Sequence, residues 1–229
     1  MKGLVMVSVF LGAFGIPSRV WAQGEGEATP PPAVEASVAD VSRRLAGVEA
    51  RIRMSSEPRT ELHLERLRLL YFLSVADEGF IPVALEQIET LQKSGADIPH
   101  LLEVLEAFGA AIEVVRGKHA FWPMSKVGHV RDGLEILDGL LARSPDLAEA
   151  RYLRLLSCYY LPFFFGRGDT VKEDLEALSY LLLARPPLMS WDAYDAVVDF
   201  VMTSGELGGQ RRSELAAAQE MARPGGGVP

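Results

Sequence analysis

Two apolar series at helical spacing flank one proline-marked break in the middle of the chain. Proline at Ser144-Pro145-Asp146 cannot continue a helix that precedes it, but it can occupy the first turn of the next one. The stretch 123–165 is therefore predicted to form two helices folded against each other. Their apolar faces are Val127, Val130, Leu134, Leu137 and Leu141 before the break, and Ala148, Tyr152, Leu155, Leu156 and Tyr159 after it.

The same spacing, interrupted by proline and glycine, recurs on both sides of this hairpin. No stretch shows the sustained apolar–polar alternation that is typical of a half-buried strand. The predicted class is all-α, with antiparallel helical hairpins stacked so that each covers the apolar stripe of the last. Helices are predicted at 37–54, 60–78, 82–94, 99–116, 123–143, 146–160, 170–184, 190–204 and 213–222.

Composition excludes several function classes. The 229 residues are 48% apolar, enough for a sizeable core, and carry a formal net charge of −8. Because phosphate binding needs clustered Lys and Arg, an acidic chain without a long basic run is not expected to bind nucleic acid. Cys158 is the only cysteine, so neither an intrachain disulfide nor a cysteine-based zinc site can form.

The first 22 residues have the parts of a secretory signal in order. Lys2 precedes an apolar run from Gly3 to Ile16, Pro17 breaks it, and Ala22 supplies the small residue before a cleavage site. The run is shorter than the roughly 20 residues that a membrane-spanning helix needs. We therefore predict cleavage after Ala22, export to the periplasm or the secreted space, and no stable membrane insertion afterwards. An uncleaved anchor is the alternative.

The remaining segments follow from composition. Residues 23–36 are rich in Gly, Glu and Pro and are predicted to form a disordered leader. Residues 37–222 form the predicted helical domain. Residues 223–229 contain three glycines and two prolines and are predicted to be a disordered tail.

The central break resembles the junction between two tetratricopeptide (TPR) repeats. The similarity is carried by Leu140-Leu141-Ala142, Pro145, Ala148, Tyr152, Leu155-Leu156 and Tyr159, although the proline follows Ala142 by three residues where that family has five. The segment 126–162 is also similar to exported TPR-like proteins without an assigned activity. The resemblance implies a short right-handed helical solenoid that acts as a scaffold and holds a protein or peptide partner.

Charged residues gather around the same hairpin. Arg151 and Arg154 could grip an anionic ligand through two hydrogen bonds, or they could tie the helices together through carboxylates. The structural reading assigns four further residues to the junction between the helices: Asp132, Asp138, Pro145 and Glu149.

Aromatic residues are concentrated at the two ends of the hairpin. They either cover the core where the helices diverge or form a surface for a partner. The candidate binding residues are therefore Trp122, Phe163 and Phe164, together with Arg151 and Arg154.

His119 and His129, with Asp132 nearby, suggest a metal or acid–base site. Isolated histidines near helix ends are more often surface or capping groups, and no nucleophile is evident beside them. We therefore predict no catalytic residue, no metal and no cofactor.

Two function classes remain open. The first is a non-enzymatic scaffold that binds a protein or peptide partner. The second is a ligand-binding accessory protein of a transport system, with a pocket lined by arginine and aromatic residues.

Overall fold

The computed structural model describes residues 38–55, 59–94, 98–204 and 207–223. Within these ranges the chain is helical and contains no strand, which confirms the all-α prediction for the described part. The helices are α1 (Val38–Met54), α2 (Thr60–Ala76), α3 (Phe80–Lys93), α4 (Leu101–His119), α5 (Pro123–Arg143), α6 (Ala148–Tyr159), α7 (Gly168–Leu181), α8 (Trp191–Ser204) and α9 (Gly209–Ala222), with one 3-10 turn at Phe163–Phe165.

The predicted signal segment, leader and most of the tail lie outside the described residues. No helix in the ranges given above combines the length and apolar content needed to cross a bilayer. The predicted helix ends agree with the structure to within a few residues. Ser190 caps α8, its Oγ accepting a hydrogen bond from the Ala193 N–H at 3.4 Å.

Helix α4 ends three residues beyond the predicted end at 116. Gly117 lies inside the helix, which continues to His119. A Cβ at Gly117 would lie 2.7 Å from the Val130 side chain of α5 and 2.8 Å from the Lys126 carbonyl oxygen. This glycine therefore serves close packing between two helices rather than a turn.

Helices α4 and α5 form a tightly packed antiparallel hairpin. Arg143 at the end of α5 contacts Glu106 near the start of α4, whereas Val130, early in α5, lies against Gly117. Between these points Gly133 contacts the α4 backbone, where an added Cβ would be 2.5 Å from the Ala110 carbonyl oxygen. The two backbones approach this closely because glycine occupies the crossing point.

Helices α2, α4 and α6 run in the same direction. Along α2 and α4, the Tyr71 ring contacts Phe108, and nearer the C-terminal ends of both helices Lys118 and His119 bond to carbonyl oxygens of the last turn of α2. Helix α6 is separated from the end of α5 by four residues and returns along it, with Arg154 bonding Asp138, so α6 is antiparallel to α5 and runs in the direction of α4. The loops that follow these three helices therefore lie at one end of the molecule.

The core has two parts, and α6 contributes to both. Ala150, Leu153 and Leu156 pack into the larger part, which is built from α1 to α6. Ala148 and Leu155 face the smaller part, which α7, α8 and α9 complete. Ten of the twelve residues of α6 are buried, so this short helix is enclosed on nearly every side.

The crossing of α4 and α5 gives a stability prediction. Gly133→Ala should lower the free energy of unfolding by about 1–3 kcal/mol, because its methyl group would clash with the α4 backbone. Gly128, on the same helix, has open space around its Cβ position, so Gly128→Ala should raise stability by about 0.5–1 kcal/mol. Urea unfolding followed by circular dichroism measures both, and equal effects would contradict this packing.

Candidate functional site

The candidate site is built around the charged side chains of α6. Glu149, Arg151 and Arg154 are all buried, although they belong to a helix enclosed by apolar neighbours. A buried charge is tolerated only when it is paired and hydrogen-bonded. The partners of these three residues therefore decide whether they hold the fold together or bind a ligand.

Arg151 and Arg154 share one buried carboxylate on α7. Asp174 is fully buried, and it accepts hydrogen bonds from Arg151 Nη1 at 3.0 Å, Arg154 Nε at 2.9 Å and Arg154 Nη2 at 2.8 Å. Burial raises the pKa of Asp174, and the hydrogen bonds and charges of Arg154 and Arg151 oppose that rise. The two guanidinium groups surround one carboxylate, and these bonds hold α6 against α7.

Other donors of these arginines also have protein acceptors. Arg151 Nε donates to the Pro145 carbonyl oxygen at 2.6 Å, which holds the proline turn against α6. Arg154 Nη1 donates to Asp138 on α5 at 3.0 Å, and Arg167 reaches the other oxygen of Asp138 at 2.7 Å. Both arginines thus face carboxylates of the protein.

The predicted junction residues have different surroundings. Pro145, Asp138 and Glu149 all take part in contacts that join helices. Asp132 lies exposed on α5, away from this network.

Glu149 pairs with a residue that the sequence did not single out. Its two oxygens accept hydrogen bonds from Arg68 Nε at 2.6 Å and Arg68 Nη2 at 2.8 Å, and both side chains are buried. The signal for Arg68 is its position in α2 between Leu67 and Leu69, because it is the only charged residue from Leu67 to the end of the helix at Ala76. Asp174 gives a similar signal, since it occupies the apolar face of α7 beside Leu175.

The loop between α4 and α5 presents large apolar side chains to solvent. Phe121 is 84% exposed and Trp122 is 68% exposed, and their rings meet edge to face at 5.1 Å. Only three residues separate the helices, and Pro123 starts α5 directly after Trp122. Met124, in the first turn of α5, is also exposed.

The loop between α6 and α7 presents a second group. Phe165 packs against the core and anchors the 3-10 turn, whereas Phe163 is 86% exposed and Phe164 is 60% exposed. Gly166, at φ +66°, ends the turn in the left-handed region that glycine adopts freely. Because α4 and α6 run in the same direction, both loops lie at one end of the molecule, and we refer to them as the aromatic loops.

The histidines do not meet in one site. The ring Nε2 of His119 lies 2.8 Å from the Ser74 carbonyl oxygen, and the ring Nδ1 of His129 lies 2.6 Å from a Glu113 oxygen. In the part of the chain that the structure describes, no group of three or more His, Cys, Asp or Glu side chains is arranged to hold a metal ion.

Comparisons of this chain with protein-family models, with curated proteins and with solved structures found no match. The class of protein is accordingly defined by its own architecture. It is an all-helical protein with a buried, charged central helix and two exposed aromatic loops.

The shared carboxylate predicts a large difference between neighbouring acids of α7. Asp174→Ala should lower the free energy of unfolding by about 3–5 kcal/mol, because it leaves Arg151 and Arg154 buried without their main acceptor. Glu173 contacts the same arginines, but its side chain is 61% exposed, so Glu173→Ala should change stability by no more than about 1 kcal/mol. Equal losses for the two variants in urea unfolding would refute the network as drawn.

Cys158 should be chemically silent in the folded protein. It is buried, and burial raises the pKa of its thiol to about 12, so almost no thiolate forms at neutral pH. A chromogenic disulfide reagent should leave the native protein unlabelled at pH 8 and label one thiol per chain in guanidinium chloride. Rapid labelling of native protein would show that α6 opens.

Proposed function

We propose that this protein is an exported, non-enzymatic scaffold that holds a partner protein through its aromatic loops. The observation that carries the proposal is the exposure of Phe121, Trp122, Phe163 and Phe164 on two loops at one end of the molecule. Aromatic side chains dominate the binding energy of protein interfaces, and clustered exposed apolar groups mark interaction sites.

The arrangement of helices supports a TPR-like reading. In the proposed solenoid, α2, α4 and α6 are the first helices of successive hairpins, and α3, α5 and α7 are the second helices. The common direction of α2, α4 and α6 fits this arrangement, and so does the antiparallel packing of α4 with α5. Each aromatic loop then joins the two helices of one hairpin, which is why both loops lie at the same end of the molecule.

The charge around the loops suggests the chemistry of the partner. Residues 116–131, which include Phe121 and Trp122, contain two arginines and two lysines and no acidic residue, in a chain of net charge −8. A fitting partner presents an apolar segment flanked by Asp or Glu, so that its apolar side chains cover the aromatic rings and its charges face this basic stretch.

The alternative, an anionic ligand held by Arg151 and Arg154, has less support. Their guanidinium groups are hydrogen-bonded to Asp174, Asp138 and the Pro145 carbonyl oxygen. A ligand would have to displace buried carboxylates from both arginines.

Site-directed photo-crosslinking tests the scaffold proposal in the source cells. A photoreactive phenylalanine analogue is placed at Phe163 or Trp122, and at Leu102 as the control, because Leu102 is also exposed but lies at the opposite end of α4. The two aromatic positions should capture the same protein, and Leu102 should not. The crosslinked peptide of the partner should be apolar with acidic flanks.

The purified partner then gives a quantitative test. Phe163→Ser with Phe164→Ser should weaken its binding by about tenfold or more, whereas Leu102→Ser should leave binding unchanged. Equal crosslinking from Leu102 would overturn the proposal. If the protein sediments with anionic vesicles and the double variant abolishes this sedimentation, the occupant is a bilayer. If the protein self-associates and the double variant dissociates it, the occupant is a second copy of this chain. Either result would also overturn the proposal.

A further inference from the structure

A cavity of about 50 Å³ lies between α1, α2, α6 and the start of α8, away from the aromatic loops. Its walls are mostly apolar and include rings and aliphatic side chains from all four helices. This volume is room for about three or four water molecules or a very small organic molecule. The wall residues that matter for its chemistry are Arg44, Arg68, Glu149, Tyr152, Asp192 and Ala196.

Arg68 supplies a donor that the fold does not use. Its Nε and Nη2 bond both oxygens of Glu149, and Nη2 also donates to the Leu188 carbonyl oxygen at 2.7 Å. Its Nη1 is buried, and no acceptor for it exists among the described residues. A buried donor without an acceptor is destabilising, because it has lost its hydrogen bonds to water. Arg68 is 6% exposed and lines the cavity, so an acceptor there would remove this destabilisation.

The charges around the cavity select the kind of acceptor. Glu149 already neutralises Arg68, and Arg44 on the solvent side is paired with Asp192 at 2.9 Å. Glu65 also lines the cavity and is paired with Arg51 at 3.5 Å, so each acid of the wall already has an arginine partner. An anionic ligand would bring an additional, unpaired charge into a buried site, whereas an uncharged oxygen would not.

We propose that this cavity binds a small, uncharged, mostly apolar molecule whose carbonyl or amide oxygen accepts a hydrogen bond from Arg68 Nη1. The apolar body of the ligand contacts the aromatic and aliphatic wall, and its oxygen supplies the missing acceptor. The cavity lies between α8 and the helices of the larger core. A bound ligand therefore contacts both α1 and α8 and holds them together beside the Arg44–Asp192 ion pair.

The test compares two molecules of the same shape. Acetamide carries the required uncharged oxygen, and acetate carries a negative charge. Both are small enough for a cavity with room for about three or four water molecules. Saturation-transfer NMR with the purified protein should show saturable binding of the amide and much weaker binding of the acid. A crystal soaked in the amide should show its oxygen beside Arg68 Nη1.

Two variants locate the binding. Ala196→Leu fills the cavity and should abolish amide binding, whereas Ala216→Leu, at an exposed position on α9, should not. Arg68→Met alone would leave Glu149 charged and buried, so Arg68→Met is combined with Glu149→Gln. This double variant should lose the preference for the amide over the acid.

Three results would overturn the proposal. The first is that soaked crystals contain only ordered water at Arg68 Nη1. The second is that the acid binds as tightly as the amide. The third is that amide binding survives Ala196→Leu, which would place it elsewhere.

Discussion

Each buried charge on α6 must meet an opposite charge, and the positions of the neighbouring helices depend on this requirement. Glu149 accepts hydrogen bonds from α2. Arg151 donates to α7 and to the proline turn, and Arg154 donates to α5 and α7. Each residue along a helix is rotated by about 100° from the last, so a shift of α6 by one residue would turn all three charges away from their partners. An unpaired buried charge costs several kcal/mol, and α6 is therefore held in one register.

Because α6 is held in one register, the loop that follows it can expose aromatic rings that do not pack into the core. The loop that carries Phe163 and Phe164 begins where α6 ends, and it is anchored by Phe165 and by the pairing of Arg167 with Asp138. Helix α4 is fixed in turn by the glycine contacts with α5. Both aromatic loops thus extend from rigid helix ends, which favours binding because little conformational freedom is lost when a partner docks.

Apolar spacing and proline breaks were sufficient to predict the helices, because both signals act within a few residues. The same local signals also placed Asp138, Glu149, Arg151 and Arg154 near one junction. The partners Arg68 and Asp174 could not be assigned, since Arg68 meets Glu149 across 81 residues of sequence. The packing role of Gly117 could not be predicted for the same reason, because in a sequence a glycine that allows close approach of a neighbouring helix looks the same as a glycine that ends its own helix.

The buried arginines differ in how many of their N–H donors have an acceptor within the protein. This difference, better than charge alone, distinguishes arginines that stabilise the fold from an arginine that is available to a ligand. Arg151 and Arg154 each bond several protein acceptors, so their burial is balanced within the fold. Arg68 has one nitrogen left over, although its charge is neutralised by Glu149. Buried polar groups are nearly always satisfied in native proteins, so an unmatched donor beside a cavity indicates an acceptor that the described residues do not supply. A ligand therefore gains more binding energy at Arg68, which has an unmatched donor, than at the more highly charged cluster of Arg151, Arg154 and Asp174.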